Sequence, residues 1–75
     1  MKGIIKNDSA YSVDKKDGGF VFRIKVGEYE KGVLVKNITD DAAGKFLSVL
    51  ADNGVEPGHL FDVAQDYDFA EISAV

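Results

Sequence analysis

Along residues 19–26, GFVFRIKV, the apolar positions Phe20, Phe22, Ile24 and Val26 alternate with Val21, Arg23 and Lys25. A period of two predicts a strand with one face buried. The run VLVKNI, 33–38, is a second β-rich segment, separated from the first by GEYEKG with turn-prone Gly27 and Gly32. No tight two-residue turn pair is evident between them, so the spacing predicts a hairpin with a loop of several residues. KGIIKND, 2–8, reads as a first strand ended by Asn7-Asp8-Ser9, and DKKDGG, 14–19, reads as a turn because its polar run resists burial and its glycines permit positive φ. KGIIKN at 2–7 and KGVLVKN at 31–37 are alike. The match is too short for a duplicated unit and fits two similar strands of one sheet.

The period changes at TDDAAGKFLSVLADNG, 39–54, where Ala43, Phe46, Leu47 and Leu50 fall at i, i+3, i+4 and i+7. That spacing predicts a helix with one apolar face to lay on the sheet. Thr39 is placed to cap its first turn, Asp40 and Asp41 complement the dipole there, and Asn53 or Gly54 supplies the left-handed residue that ends it. Gly44, inside the helix, is expected to allow close approach to the sheet. Beyond Pro57, the spacing of Leu60, Val63, Ala64 and Tyr67 predicts a short helix over 58–65, and YDFAEISAV from Tyr67 onward is read as a last strand. The expected fold is α+β: an antiparallel sheet of three to four strands in the order β-β-β-α-(α)-β, with one main helix packed on one face. Its expected core is Ile4, Phe20, Phe22, Ile24, Val26, Phe46, Leu47, Leu50 and Leu60.

Composition narrows the setting. Seventy-five residues, 45% hydrophobic with five Phe and three Tyr, suit a single folded domain over 1–75 near the lower size limit for an unaided core. The absence of cysteine excludes disulfides, thiolate metal sites and thiol catalysis, and a small secreted domain generally relies on such staples. A cytoplasmic location is the expectation, with no membrane span, because no apolar run approaches the necessary length.

Charge then divides the chain. Residues 1–37 carry eight Lys or Arg against five acids, a net of +3, whereas residues 38–75 carry Lys45 against eight acids, a net of −7. If the fold keeps these halves apart, two opposite fields arise on one small body. The acidic end culminates in FDVAQDYDF, 61–69, where Asp62, Asp66 and Asp68 stand among aromatic residues, followed by Glu71. A calcium loop needs acids at alternate positions, a central glycine and a terminal glutamate, and this segment lacks that pattern. No metal or other cofactor is expected. His59 is the sole histidine, and without an accompanying nucleophile pattern it is read as a surface or capping residue.

KDGGFVFRI, 16–24, superficially resembles the aromatic strand motif of RNA-recognition domains, but that motif requires exposed aromatics and a preceding strand and helix for which no room exists. Arg23, Lys25 and Lys36 still form a candidate basic sheet face for nucleic acid, opposed by the chain's net charge of −4. The favoured expectation is a non-enzymatic protein that binds a protein partner, basic in character, through Asp62, Asp66, Asp68 and Glu71, as a regulator or inhibitor. Imitation of nucleic acid by the acids is a lesser alternative. The edges of a small open sheet also leave backbone groups with which a second copy can pair, giving a homo-oligomer.

Overall fold

A computed structural model describes residues 2–75 and shows an α+β fold built on a five-stranded antiparallel sheet. The strands are β1 (Lys2–Lys6), β2 (Ser9–Lys16), β3 (Gly19–Val26), β4 (Tyr29–Lys36) and β5 (Glu71–Ala74), lying side by side in that order. Between β4 and β5 come α1 (Asp40–Asp52), a 3₁₀ turn (Pro57–His59) and α2 (Leu60–Asp66). The strand count exceeds the expected three to four because β2 was hidden in the sequence. Only Tyr11 and Val13 of its inward positions are large and apolar, and both are buried.

The loop between β3 and β4 is also shorter than the pattern suggested. Val26 pairs with Tyr29, leaving Gly27-Glu28 as a two-residue turn, with Gly27 at φ 62°. The strand predicted from residue 33 therefore starts at Tyr29. Likewise Lys16 pairs with Gly19 across Asp17-Gly18, both at positive φ, which suits a tight hairpin and confines the expected 14–19 turn to two residues.

Helix α1 matches its sequence signals closely. The Thr39 hydroxyl oxygen accepts a hydrogen bond from the Ala42 N–H at 3.1 Å. At the other end Gly54 lies at φ 59°, the Val55 N–H donates to the Leu50 carbonyl and the Gly54 N–H to the Ala51 carbonyl. This pair of bonds is a Schellman closure, and it satisfies carbonyls that the helix leaves orphaned. The buried face, Ala43, Phe46, Leu47, Leu50 and Ala51, covers the sheet.

The core beneath it contains Phe20, Phe22 and Ile24 of β3, Val33 and Val35 of β4, and Leu60 and Ala64 of α2. Two expected core residues differ. Ile4 is only partly buried, on edge strand β1, and Val26 lies outside the cluster, at the turn end of β3. Phe46 joins three parts of the chain: its ring meets Phe22 edge-on at 4.9 Å, Phe69 edge-on at 4.9 Å and Tyr67 at 5.0 Å. Residues 67–70 are thereby tied to α1 and form no strand, so the last strand begins at Glu71 and not at Tyr67. Both helices pack on one face of the sheet, and its other face carries no element.

Candidate functional site

The helical layer gathers the acids. Asp40 and Asp41 open α1, Asp52 ends it, Glu56 precedes the 3₁₀ turn, and Asp62 and Asp66 lie one helical turn apart on α2; all are exposed. The sole cation between residues 40 and 68 is Lys45. Among the described residues the one ion pair is Lys15 Nζ to Asp40 Oδ1 at 3.6 Å, with both side chains largely in solvent, so it does little for stability. The remaining carboxylates of this layer have no cationic neighbour at pairing distance among the described residues.

Tyr67 stands within this layer. It caps the end of α2, donates its N–H to the Val63 carbonyl, and remains 44% exposed although its ring rests on Phe46 and Phe69. Together with Asp40, Asp41, Gly44, Lys45, Ser48 and Val49 it lines an open groove of about 620 Å³ along the outer side of α1. Gly44 therefore borders this groove, where the sequence had suggested contact with the sheet. Asp66 and Asp68 flank Tyr67 in the chain, and Asp68 takes φ 66° to turn the backbone back toward β5. An aromatic ring held by two others and bordered by carboxylates is a preorganised contact for a cationic or amphipathic side chain.

The four residues expected to form one binding surface do not all share it. Asp62, Asp66 and Asp68 are exposed on the helical side of the molecule. Glu71 is not with them. Ile72 packs against the core, so its neighbour Glu71 points to the opposite, uncovered sheet face, where it pairs in register with Lys36 and accepts a 3.5 Å hydrogen bond from Asn37 Nδ2. Tyr67 was missed as a surface residue because its spacing with Leu60, Val63 and Ala64 speaks for a helix and says nothing of exposure. The signal that it is different is its place between two aspartates.

Arg23, Lys25 and Lys36 do share the uncovered face, opposite in parity to Phe20, Phe22 and Ile24. That face is mixed in charge. Lys25 sits directly across from Glu30, and Lys36 across from Glu71. Its aromatic complement is absent as well, since Phe20 and Phe22 are buried on the other side.

His59 is exposed at the end of the 3₁₀ turn and lines a cleft of about 340 Å³ with Ser9, Val26, Tyr29, Glu56, Pro57 and Gly58. No group of three His, Cys, Asp or Glu side chains converges as a metal site among the described residues, and no helix among them is long and apolar enough to cross a membrane. No family model, curated protein or solved structure matches the chain.

Proposed function

We propose that this chain is a non-catalytic binding protein whose acidic helical layer docks a basic protein partner, acting on that partner as a regulator or inhibitor. The observation that carries this reading is the run of exposed carboxylates from Asp40 to Asp68, opposed in sequence only by Lys45 and accompanied by the half-exposed, ring-packed Tyr67. Carboxylates of one sign steer a basic partner and fix its register, while a rigid aromatic supplies the desolvated contact that holds it. Imitation of a nucleic acid is a special case of the same surface, in which the partner is itself a nucleic-acid-binding protein. Direct nucleic-acid binding by Arg23, Lys25 and Lys36 is less well supported because glutamates face two of the three cations.

The test is capture of partners from lysate by immobilised protein, read by mass spectrometry, comparing wild type with a variant carrying Asp62→Asn, Asp66→Asn and Asp68→Asn. Asparagine tolerates the positive φ at residue 68, so thermal unfolding should be nearly unchanged. The specifically captured protein should be basic, should release as salt is raised, and should be lost from the variant. Equal capture by the two proteins refutes the proposal. In a parallel arm, a low-salt mobility shift of labelled DNA or RNA that disappears with Arg23→Ala and Lys25→Ala would instead support the sheet face.

A further inference from the structure

We infer that the uncovered sheet face is the contact surface for a second copy of this chain, packed face to face through a two-fold axis perpendicular to the strands. Val21, on this face, is 3% exposed because its neighbours already cover it within one copy, so the apolar area the face offers comes from Leu34, beside it in the register, and from the borders of the sheet. Low relief surrounds Val21. A Cβ at Gly19 would lie 3.2 Å from Leu34 Cδ1 and 2.9 Å from Lys36 Cγ, so those side chains lie flat across the glycine. Arg23 crosses Gly32 in the same manner. At the borders of the face Ile5 is 83% and Val75 61% exposed, two of the four large hydrophobic residues left to solvent among the described residues.

Charge selects the occupant and narrows the geometry. Acids and bases are nearly balanced here, with Lys16, Arg23, Lys25 and Lys36 against Asp14, Glu30 and Glu71, whereas the helical layer is strongly acidic. Stacking two uncovered faces is therefore the pairing that keeps both acidic layers outward and apart. A two-fold running along β3 would lay Arg23 on Arg23 and Lys25 on Lys25. One running between β3 and β4 would set Lys25 against Glu30 but leave Lys36 over Gly19, an arrangement that Lys36→Glu would not weaken. The perpendicular two-fold passes between the Arg23–Gly32 and Val21–Leu34 rows of the register and sets Glu30 of each copy opposite Lys36 of the other, twice by symmetry. It also places Leu34 against Gly32 of the second copy, and stacked sheets about 10 Å apart leave the reach these long side chains need.

Strand spacing of about 4.8 Å and a rise of about 3.4 Å per residue give this sheet a face of roughly 540 Å². Two copies then bury about 1,100 Å², near the lower end for a specific interface, which points to a weak, concentration-dependent dimer.

Sedimentation equilibrium of the full chain, from about 10 μM to about 1 mM to cover weak affinities, tests this. The wild-type mass should rise from 8.1 kDa toward twice that value. Glu30→Lys and Lys36→Glu should each lower the association constant by about tenfold or more, because each creates two like-charge contacts, and the double variant should restore it. Within one chain Glu30→Lys puts a second lysine beside Lys25, and Lys36→Glu puts a second glutamate beside Glu71. A purely intrachain effect therefore predicts that the double variant is worse than either single one. Leu34→Lys, whose stem still covers Gly19, should weaken association without touching either charge pair. A monomeric wild type across the range, or a double variant no better than the singles, overturns the inference.

Discussion

Gly19 and Gly32 lie in neighbouring strands of one antiparallel pair, yet adding a methyl group to each should have opposite effects. At Gly19 a Cβ would stand 2.6 Å from the Val35 carbonyl oxygen, a backbone atom, as well as 2.9 Å from Lys36 Cγ. The side chain can swing aside, but the carbonyl belongs to the β3–β4 ladder and moves only if the strands part. At Gly32 the nearest atom is Arg23 Cγ at 3.3 Å, a tight approach but to a flexible side chain that need give only a few tenths of an ångström, while the Phe22 carbonyl oxygen at 3.4 Å and Val75 Cβ at 3.5 Å are in ordinary contact. Neither glycine takes a positive φ, so alanine meets no backbone strain at either position.

Replacing glycine by alanine in a strand gains roughly 0.5–1 kcal/mol from reduced backbone freedom in the unfolded chain. Gly32→Ala should keep most of this, for a change between zero and about 1 kcal/mol of added stability. Gly19→Ala must offset it against overpacking of about 1–3 kcal/mol, with the upper part of that range expected because the obstructing atom is backbone. The two variants should thus differ by roughly 2 kcal/mol, which for a chain of this length corresponds to about 12 °C in melting temperature. Urea and thermal unfolding followed by circular dichroism will separate them. A Gly19→Ala protein as stable as wild type would refute the close approach of β4 to β3 at that point.

Two further substitutions address the helix ends. Thr39→Ala removes the 3.1 Å cap to the Ala42 N–H and should cost about 1 kcal/mol in urea unfolding, with Thr39→Ser recovering most of it. Asp68→Gly relieves a left-handed residue at φ 66° and should raise stability by several tenths to about 1 kcal/mol, and a lower melting temperature would show that the aspartate side chain stabilises the turn.

The helices were legible because their signals are local. Thr39, the spacing from Ala43 to Leu50, and Gly54 each act within a turn or two of chain, and each is found in its expected role. β2 was not, because its burial is set by neighbours distant in sequence. Tyr11 faces Ile4 on one side and Ile24 on the other, a context that the segment SAYSVDKK does not carry. The same limit applied to the site. Asp62 and Asp66 share a helical face by simple spacing, but Glu71 is turned away by the positive φ at Asp68 and the alternation of β5, where Ile72 takes the core side.

The charge division read along the chain is therefore reshaped by the fold. Its basic half forms a meander whose outward charges are partly answered by Glu30 on β4, and β5 returns from the acidic half to place Glu71 beside Lys36. The sheet face is brought near neutrality by that return, while residues 40–68 keep their carboxylates on the helical side with Lys45 alone against them. β5 thus does two things: it extends the sheet, and it removes one acid from the helical layer to balance a lysine on the other face. Glu71→Lys separates these roles, since strand pairing is carried by backbone groups that the substitution leaves intact. It should make the sheet face basic without altering the helical layer, so partner capture through Asp62, Asp66 and Asp68 should persist, and loss of that capture in a folded variant would show that the two faces are not independent.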